Sequence, residues 1–183
     1  MLTSAVTIEY GNIETITADC IVNAANSGLR RGSGVCGAIF AAAGEGEMAE
    51  FCRKIGHCPV GKAVATPPGR LSAKWVIHAV GPYTSRPDAP EMLRSAYVSA
   101  LEIVREKECR SVAFPLISSG VFNDAPMDFE TLWSCALSAV RGWQAAHPDS
   151  PVDVRFICHG RSLIAAGSRV LADMEADMEK EQQ

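Results

Sequence analysis

The sequence predicts a layered α/β domain built on a largely parallel sheet. Short β-rich runs alternate with helical stretches along the whole 183-residue chain. Several of the strand runs are continuously apolar, as strands covered on both faces are. The chain is also 48% apolar, enough for a packed core at a length where about 70% of the unfolded surface is buried on folding. A single domain spanning 1–183 is expected, with its core over about 6–171.

The first strand is expected over 6–10 and the second over 20–23, where Cys20-Ile21-Val22-Asn23 carries no charge. A glycine-bearing loop then enters a helix over 35–43, and a second helix follows over 46–54. Strands are expected over 63–66 and 75–79, the latter opening Trp75-Val76-Ile77. The helix over 91–108 shows its period plainly. Leu93, Tyr97, Ala100, Leu101 and Val104 recur at three- and four-residue steps, with Arg94, Ser95, Glu102 and Arg105 opposite. Strands over 112–115 and 152–158 and helices over 128–146 and 162–178 complete the alternation. Residues Glu175 to Gln183 turn charged and polar and read as the frayed end of the last helix.

Composition narrows the function classes. The net charge is −4, and no basic stripe with interleaved aromatics occurs, so nucleic-acid binding is not expected. No apolar run approaches the ~20 residues of a membrane span. The N-terminal residues lack a basic region followed by a sustained apolar stretch. The seven cysteines are odd in number, form no Cys-x-x-Cys pair and sit partly in apolar runs. That is the pattern of reduced, core-packed thiols, so a cytoplasmic location is expected. A monomer without cofactor or metal is expected too.

Ligands of parallel sheets bind at the carboxyl ends of strands. Two loops there could carry chemistry. The first runs from Ala24 to Gly37, and its Gly32, Gly34 and Gly37 match G-x-G-x-x-G. It is not a dinucleotide fingerprint, because eight residues separate Asn23 from Gly32 and no acidic residue closes a following strand. The physics still holds: glycines admit close backbone approach, and a helix start offers unpaired N–H groups to an anion. A flexible surface loop is the plainer alternative. The second loop, Leu116 to Asn123, puts Ser118-Ser119-Gly120 behind a buried strand, with Phe122 just beyond. It forms either a second nest of amides or a tight turn with Phe122 as core filler. Two such cradles with few lysines suit a diphosphate.

Together these segments resemble the macrodomain family. The resemblance rests on Gly11-Asn12-Ile13, Ile21-Val22-Asn23-Ala24-Ala25-Asn26, Gly32-x-Gly34-Val35-x-Gly37-Ala38-Ile39 and Ala42-Ala43-Gly44. Val76-Ile77-His78-Ala79-Val80-Gly81-Pro82 and Ala113-Phe114-Pro115-Leu116-Ile117-Ser118-Ser119-Gly120-Val121-Phe122 complete it, in the same order over about 6–171. It implies a three-layer α/β/α sandwich around a mixed, mostly parallel sheet. It implies ADP-ribose, free or on a modified protein, as ligand and partner. It further implies hydrolysis of O-acetyl-ADP-ribose or of mono-ADP-ribosyl esters on acidic side chains.

Roles carry over by position. Asn12 and Ile13 resemble the family's Gly-Asp-Ile, whose acid accepts from the adenine amino group; an amide carbonyl accepts too. Asn23, in the strand that leads to Asn26, is counted among the expected ligand-binding residues. Asn26 matches the asparagine on the distal ribose. Arg31, Gly32, Ser33, Gly34, Val35 and Cys36 resemble the loop around that ribose and the diphosphate. Ser118, Ser119, Gly120, Val121 and Phe122 resemble the second diphosphate loop, and His159 aligns with an aromatic that stacks on adenine. The departure is Cys36, where the cellular hydrolase branch has aspartate. Gly34-Val35-Cys36 is also similar to alphavirus macrodomains, which hydrolyse ADP-ribosyl esters without that aspartate. Asn26 is thus the first catalytic candidate, as a positioning group. Cys36 is the second, as a thiol nucleophile or base at a helix start. A non-catalytic ADP-ribose reader is the alternative. His78 reads as a core histidine, Trp133 and Trp143 as packing, and Cys52, His57 and Cys58 are too irregularly spaced for zinc.

Overall fold

The computed structural model describes residues 4–181. In chain order it forms β1 (Val6–Tyr10), β2 (Cys20–Ala25), α1 (Gly34–Ala43), α2 (Glu45–Ile55), β3 (Ala63–Thr66) and β4 (Trp75–Val80). Then follow α3 (Ala89–Glu106), β5 (Ser111–Phe114), α4 (Phe129–Ala146), β6 (Asp153–Cys158) and α5 (Arg161–Glu181). The six strands make one sheet in the order β1-β6-β5-β2-β4-β3. Every pairing is parallel except β3 with β4. This is the mixed, mostly parallel sheet of a three-layer α/β/α sandwich.

The layers follow from strand alternation. Cys20 and Val22 of β2, Ile77 and Ala79 of β4, and Val154, Phe156 and Cys158 of β6 pack on the side of α3, α4 and α5. Their neighbours Ile21, Ala25, Val76, Val80 and Ile157 face α1 and α2. The α3–α5 side is aromatic. The Tyr97 and Phe114 rings lie 5.3 Å apart, and Trp133 meets Phe156 edge-on at 5.1 Å. Trp133 is fully buried and its Nε1 donates to the Leu163 carbonyl at 2.7 Å. Truncating such a ring costs about 3–5 kcal/mol. Trp143 is buried as well, as expected of a packing residue.

Four local readings change. A 3-10 turn over Ile13–Thr15 precedes β2. Strand β2 runs two residues further than expected, to Ala25, because β4 pairs with it along its whole length. Strand β3 is antiparallel, since residues 67–74 are too few for a crossover. Finally, the polar end of α5 is continuous helix through Glu181, built from good helix formers and a Lys180–Asp177 pair at 2.9 Å. Gln182 and Gln183 lie outside the described residues. No helix among the described residues is long and apolar enough to cross a membrane. All seven cysteines are buried free thiols.

Candidate functional site

Helix α1 leaves β2 toward one face of the sheet, whereas α4 and α5 leave β5 and β6 toward the other. A crevice therefore opens at the carboxyl ends of these strands, the place where open parallel sheets take ligands. A cleft of about 770 Å³ lies there.

Its first wall is the loop after β2. The Asn26 side chain folds this loop around itself: Oδ1 accepts from Arg30 N at 3.0 Å and Nδ2 donates to Arg30 O at 2.7 Å. Gly37 has to be glycine, since a Cβ there would stand 2.8 Å from the Gly32 carbonyl oxygen. That contact brings the loop tightly onto the first turn of α1, whose leading N–H groups lack partners within the helix. Ser33 precedes the helix and makes no capping bond with its hydroxyl. The Cys36 sulfur accepts from Gly32 N at 3.3 Å and from Asn23 Nδ2 at 3.6 Å, while its thiol faces Arg30 O at 3.7 Å.

Behind this wall lies a polar line in an apolar layer. Asn23 Nδ2 sits 3.1 Å from His78 Nδ1, and His78 Nε2 sits 2.9 Å from Thr66 Oγ1. With Asn23 donating to Nδ1, the ring proton sits on Nε2 and goes to Thr66, whose hydroxyl faces Met48 Sδ at 3.5 Å. Asn23 and His78 are fully buried. Burial pulls the His78 imidazole down to about 4, so the ring is neutral at pH 7. It is a satisfied core histidine.

The second wall is the loop after β5. The Tyr97 hydroxyl, deep in the core, accepts from Ile117 N at 2.8 Å, and burial pushes its ionisation far up. Ser118 takes a left-handed backbone (φ 63°) and its Oγ donates to Pro82 O at 2.7 Å. Gly81 allows this seat: a Cβ there would meet Ile117 Cγ2 at 2.3 Å and Ser118 Oγ at 2.5 Å. Phe122 stacks on Tyr83 with centroids 4.2 Å apart and planes 29° from parallel. At the other end of the cleft stands His159, edge-on to Tyr10 at 6.3 Å.

Twelve of the residues singled out in the sequence line this one cleft: Asn26, Gly32 to Cys36, Ser118 to Phe122 and His159. Four do not. Asn12 is exposed at the start of the 3-10 turn, and Ile13 is a core residue of the α1–α2 layer. Arg31 points to Glu45, Nε to Oε2 3.2 Å, outside the cleft. Asn23 is sealed behind the wall and reaches the cleft only through Cys36. The lining also includes Glu14, Tyr83, Gly160 and Leu163, which the sequence reading missed. Tyr83 directly follows the recognised Gly81-Pro82, and Glu14 follows Ile13, so neighbouring motif positions were the available signal. Among the described residues no lysine or arginine lines the cleft. Cys52 and Cys58 lie in the core while His57 is exposed.

Fold and crevice together define a three-layer α/β/α ligand-binding domain. Residues 22–130 match the Macro domain family, and the chain belongs to it. It is 39% identical over 175 residues to the O-acetyl-ADP-ribose deacetylase of Citrobacter koseri, covering 92% of this chain and 96% of that protein. It is 42% identical over 160 residues to ADP-ribose glycohydrolase MACROD1 of Mus musculus, covering 86% of this chain but 48% of that longer protein. Among solved structures it is similar to the Oceanobacillus iheyensis macrodomain with ADP, at 28% identity and a TM-score of 0.85 over 93% of this chain and 91% of that one.

Proposed function

We propose that the protein binds ADP-ribose in this cleft and hydrolyses ADP-ribosyl esters, on acidic side chains of proteins or in O-acetyl-ADP-ribose. One observation carries the reading: two amide-bearing loops face each other across a cleft that no lysine or arginine lines among the described residues. Such walls suit a diphosphate held by main-chain N–H groups and a helix start. Binding of ADP by a macrodomain of the same fold, and the deacetylase and glycohydrolase names of two relatives, support it.

The chemistry asked of the chain is positioning. Asn26, already locked by Arg30, holds the distal ribose against the Gly32 to Gly34 turn. Water oriented by the nucleotide's own diphosphate attacks the ester carbonyl carbon. Loop amides and Asn26 stabilise the negative oxygen that forms. The bond from that carbon to the ribose oxygen then breaks, the ribose oxygen takes a proton, and the acid and the free nucleotide leave. Cys36 serves as a small packed residue beneath the turn.

A reader without turnover is the second reading. Glu14 is the one carboxylate lining the cleft among the described residues, and the family resemblance puts Cys36 where the hydrolase branch has aspartate. Incubation with protein mono-ADP-ribosylated on glutamate or aspartate, and with O-acetyl-ADP-ribose, decides. Release of ADP-ribose is the expected result. Calorimetric binding of ADP-ribose without release establishes the reader, and absence of binding overturns both.

A further inference from the structure

The loop after β5 has no regular structure between Phe114 and Phe129, yet it must present a wall to the ligand. Its far half, Phe122 to Met127, is held by the segment that follows β4. Thr84 N donates to the Phe122 carbonyl at 2.8 Å. Thr84 Oγ1 donates to Ala125 O at 2.9 Å and accepts from Ala125 N at 3.1 Å. Asp124 takes Ser85 N on Oδ1 at 2.9 Å and the Ser85 hydroxyl on Oδ2 at 2.7 Å. These Ser85 bonds, side chain first, hold the Asp124 carboxyl below the usual aspartate range. On the inner side, Asn123 closes the segment on itself, Oδ1 accepting from Met127 N at 2.8 Å and Nδ2 donating to Met127 O at 3.0 Å.

The register of these bonds matters. Tyr83 directly precedes Thr84, and Phe122 lies two residues before Asp124, so the bonds bring the two rings into stack at one end of the cleft. Neither Asp124 nor Ser85 lines the cleft itself. Neither ring is buried: Tyr83 is 46% exposed, Phe122 is partly exposed, and Val121 beside them is 74% exposed, so packing against the core alone does not hold this wall. The hydrogen bonds do.

We propose that Asp124, with Ser85 and Thr84, is a clasp that positions the Tyr83–Phe122 pair, and that this pair sets affinity for the distal-ribose half of the ligand. Asp124 is thus a positioning residue, acting through Phe122 and Tyr83 rather than on substrate. The assignment of the distal half rests on the ADP-ribose reading above; the clasp itself does not.

Two measurements on Asp124→Ala and Asp124→Asn separate the parts. Amide hydrogen exchange without ligand reads the clasp alone. Asp124→Ala is expected to speed exchange across 120–127, whereas Asp124→Asn, which keeps an oxygen for Ser85 N and an amide for its hydroxyl, stays near wild type. Calorimetry with ADP-ribose and with ADP, which keeps the diphosphate but lacks the distal ribose, reads the consequence. Asp124→Ala is expected to weaken ADP-ribose about tenfold, with ADP within about twofold and Asp124→Asn restoring affinity. Unchanged exchange overturns the clasp. Faster exchange with equal losses for both ligands, or with none, overturns the link to the distal half. Failure of wild type to bind ADP-ribose, with exchange responding as stated, overturns the ligand assignment and leaves the clasp standing.

Discussion

The loop after β2 is held mainly from within, by the Asn26 side chain and the Cys36 sulfur of its own segment, with one outside tie from Cys58 N to the Ser27 carbonyl at 2.9 Å. The loop after β5 is held from outside, by Tyr97 of α3 and by Pro82, Thr84 and Ser85 of a neighbouring turn. The first is short, glycine-bearing and ends on a helix, so local bonds supply most of what fixes it. The second is longer and needs distant partners to define one conformation. The difference teaches where each wall is vulnerable: the first to changes in its own residues, the second to changes elsewhere in the chain.

The sharpest break is Asn26→Ala. It removes the ribose holder and the lock on Arg30 together, and ester turnover is expected to fall about 10²–10³-fold. Turnover at the wild-type rate overturns the positioning mechanism. The next effect belongs to the polar line behind the first wall. The folded-state value of His78 lies near 4 against an ordinary 6.5, so the unfolded chain binds more protons between these limits. Stability conferred by the neutral ring is complete above pH 6.5 and declines as pH falls toward 4, by about 3 kcal/mol. Urea unfolding across that window checks it, and His78→Gln should flatten the slope.

On the second wall, Gly81→Ala drives a methyl into Ile117 and Ser118. A stability loss of about 1–3 kcal/mol and weaker ADP-ribose binding are expected, although Gly81 belongs to a different segment. Thermal unfolding and calorimetry measure both. The smallest effect is Cys36→Ala. If the sulfur only packs beneath the turn, turnover stays within about threefold, because the loss is three weak sulfur contacts, to Gly32 N, Asn23 Nδ2 and Arg30 O. Loss of activity on the scale of Asn26→Ala instead makes the thiol a participant.

Much of this was legible in the chain. Continuous apolar runs at Ile21-Val22 and Trp75-Val76-Ile77 marked strands covered on both faces, and the Leu93 to Val104 period marked α3. The antiparallel direction of β3 was not read from the sequence, although Pro67-Pro68-Gly69 marks a connection with no room for a helix, because strand direction depends on what the following residues pair with. The cleft followed where motif and loop coincide, at Gly32 to Cys36 and Ser118 to Phe122. It did not follow for Asn23, because a polar residue in a strand gives no sign of which face it takes or what lies behind it. Nor did the sequence show Asp124 meeting Ser85, a contact between residues 39 apart.

The lack of lysine and arginine on the cleft wall among the described residues has an outcome of its own. Neutral amides and one helix end attract phosphate only at contact range, without the far-reaching field of a basic groove. Affinity should therefore depend shallowly on ionic strength, and capture should be unaided by long-range steering. Ligand choice then rests on shape and hydrogen-bond direction, so inorganic anions at cellular concentrations make weak competitors.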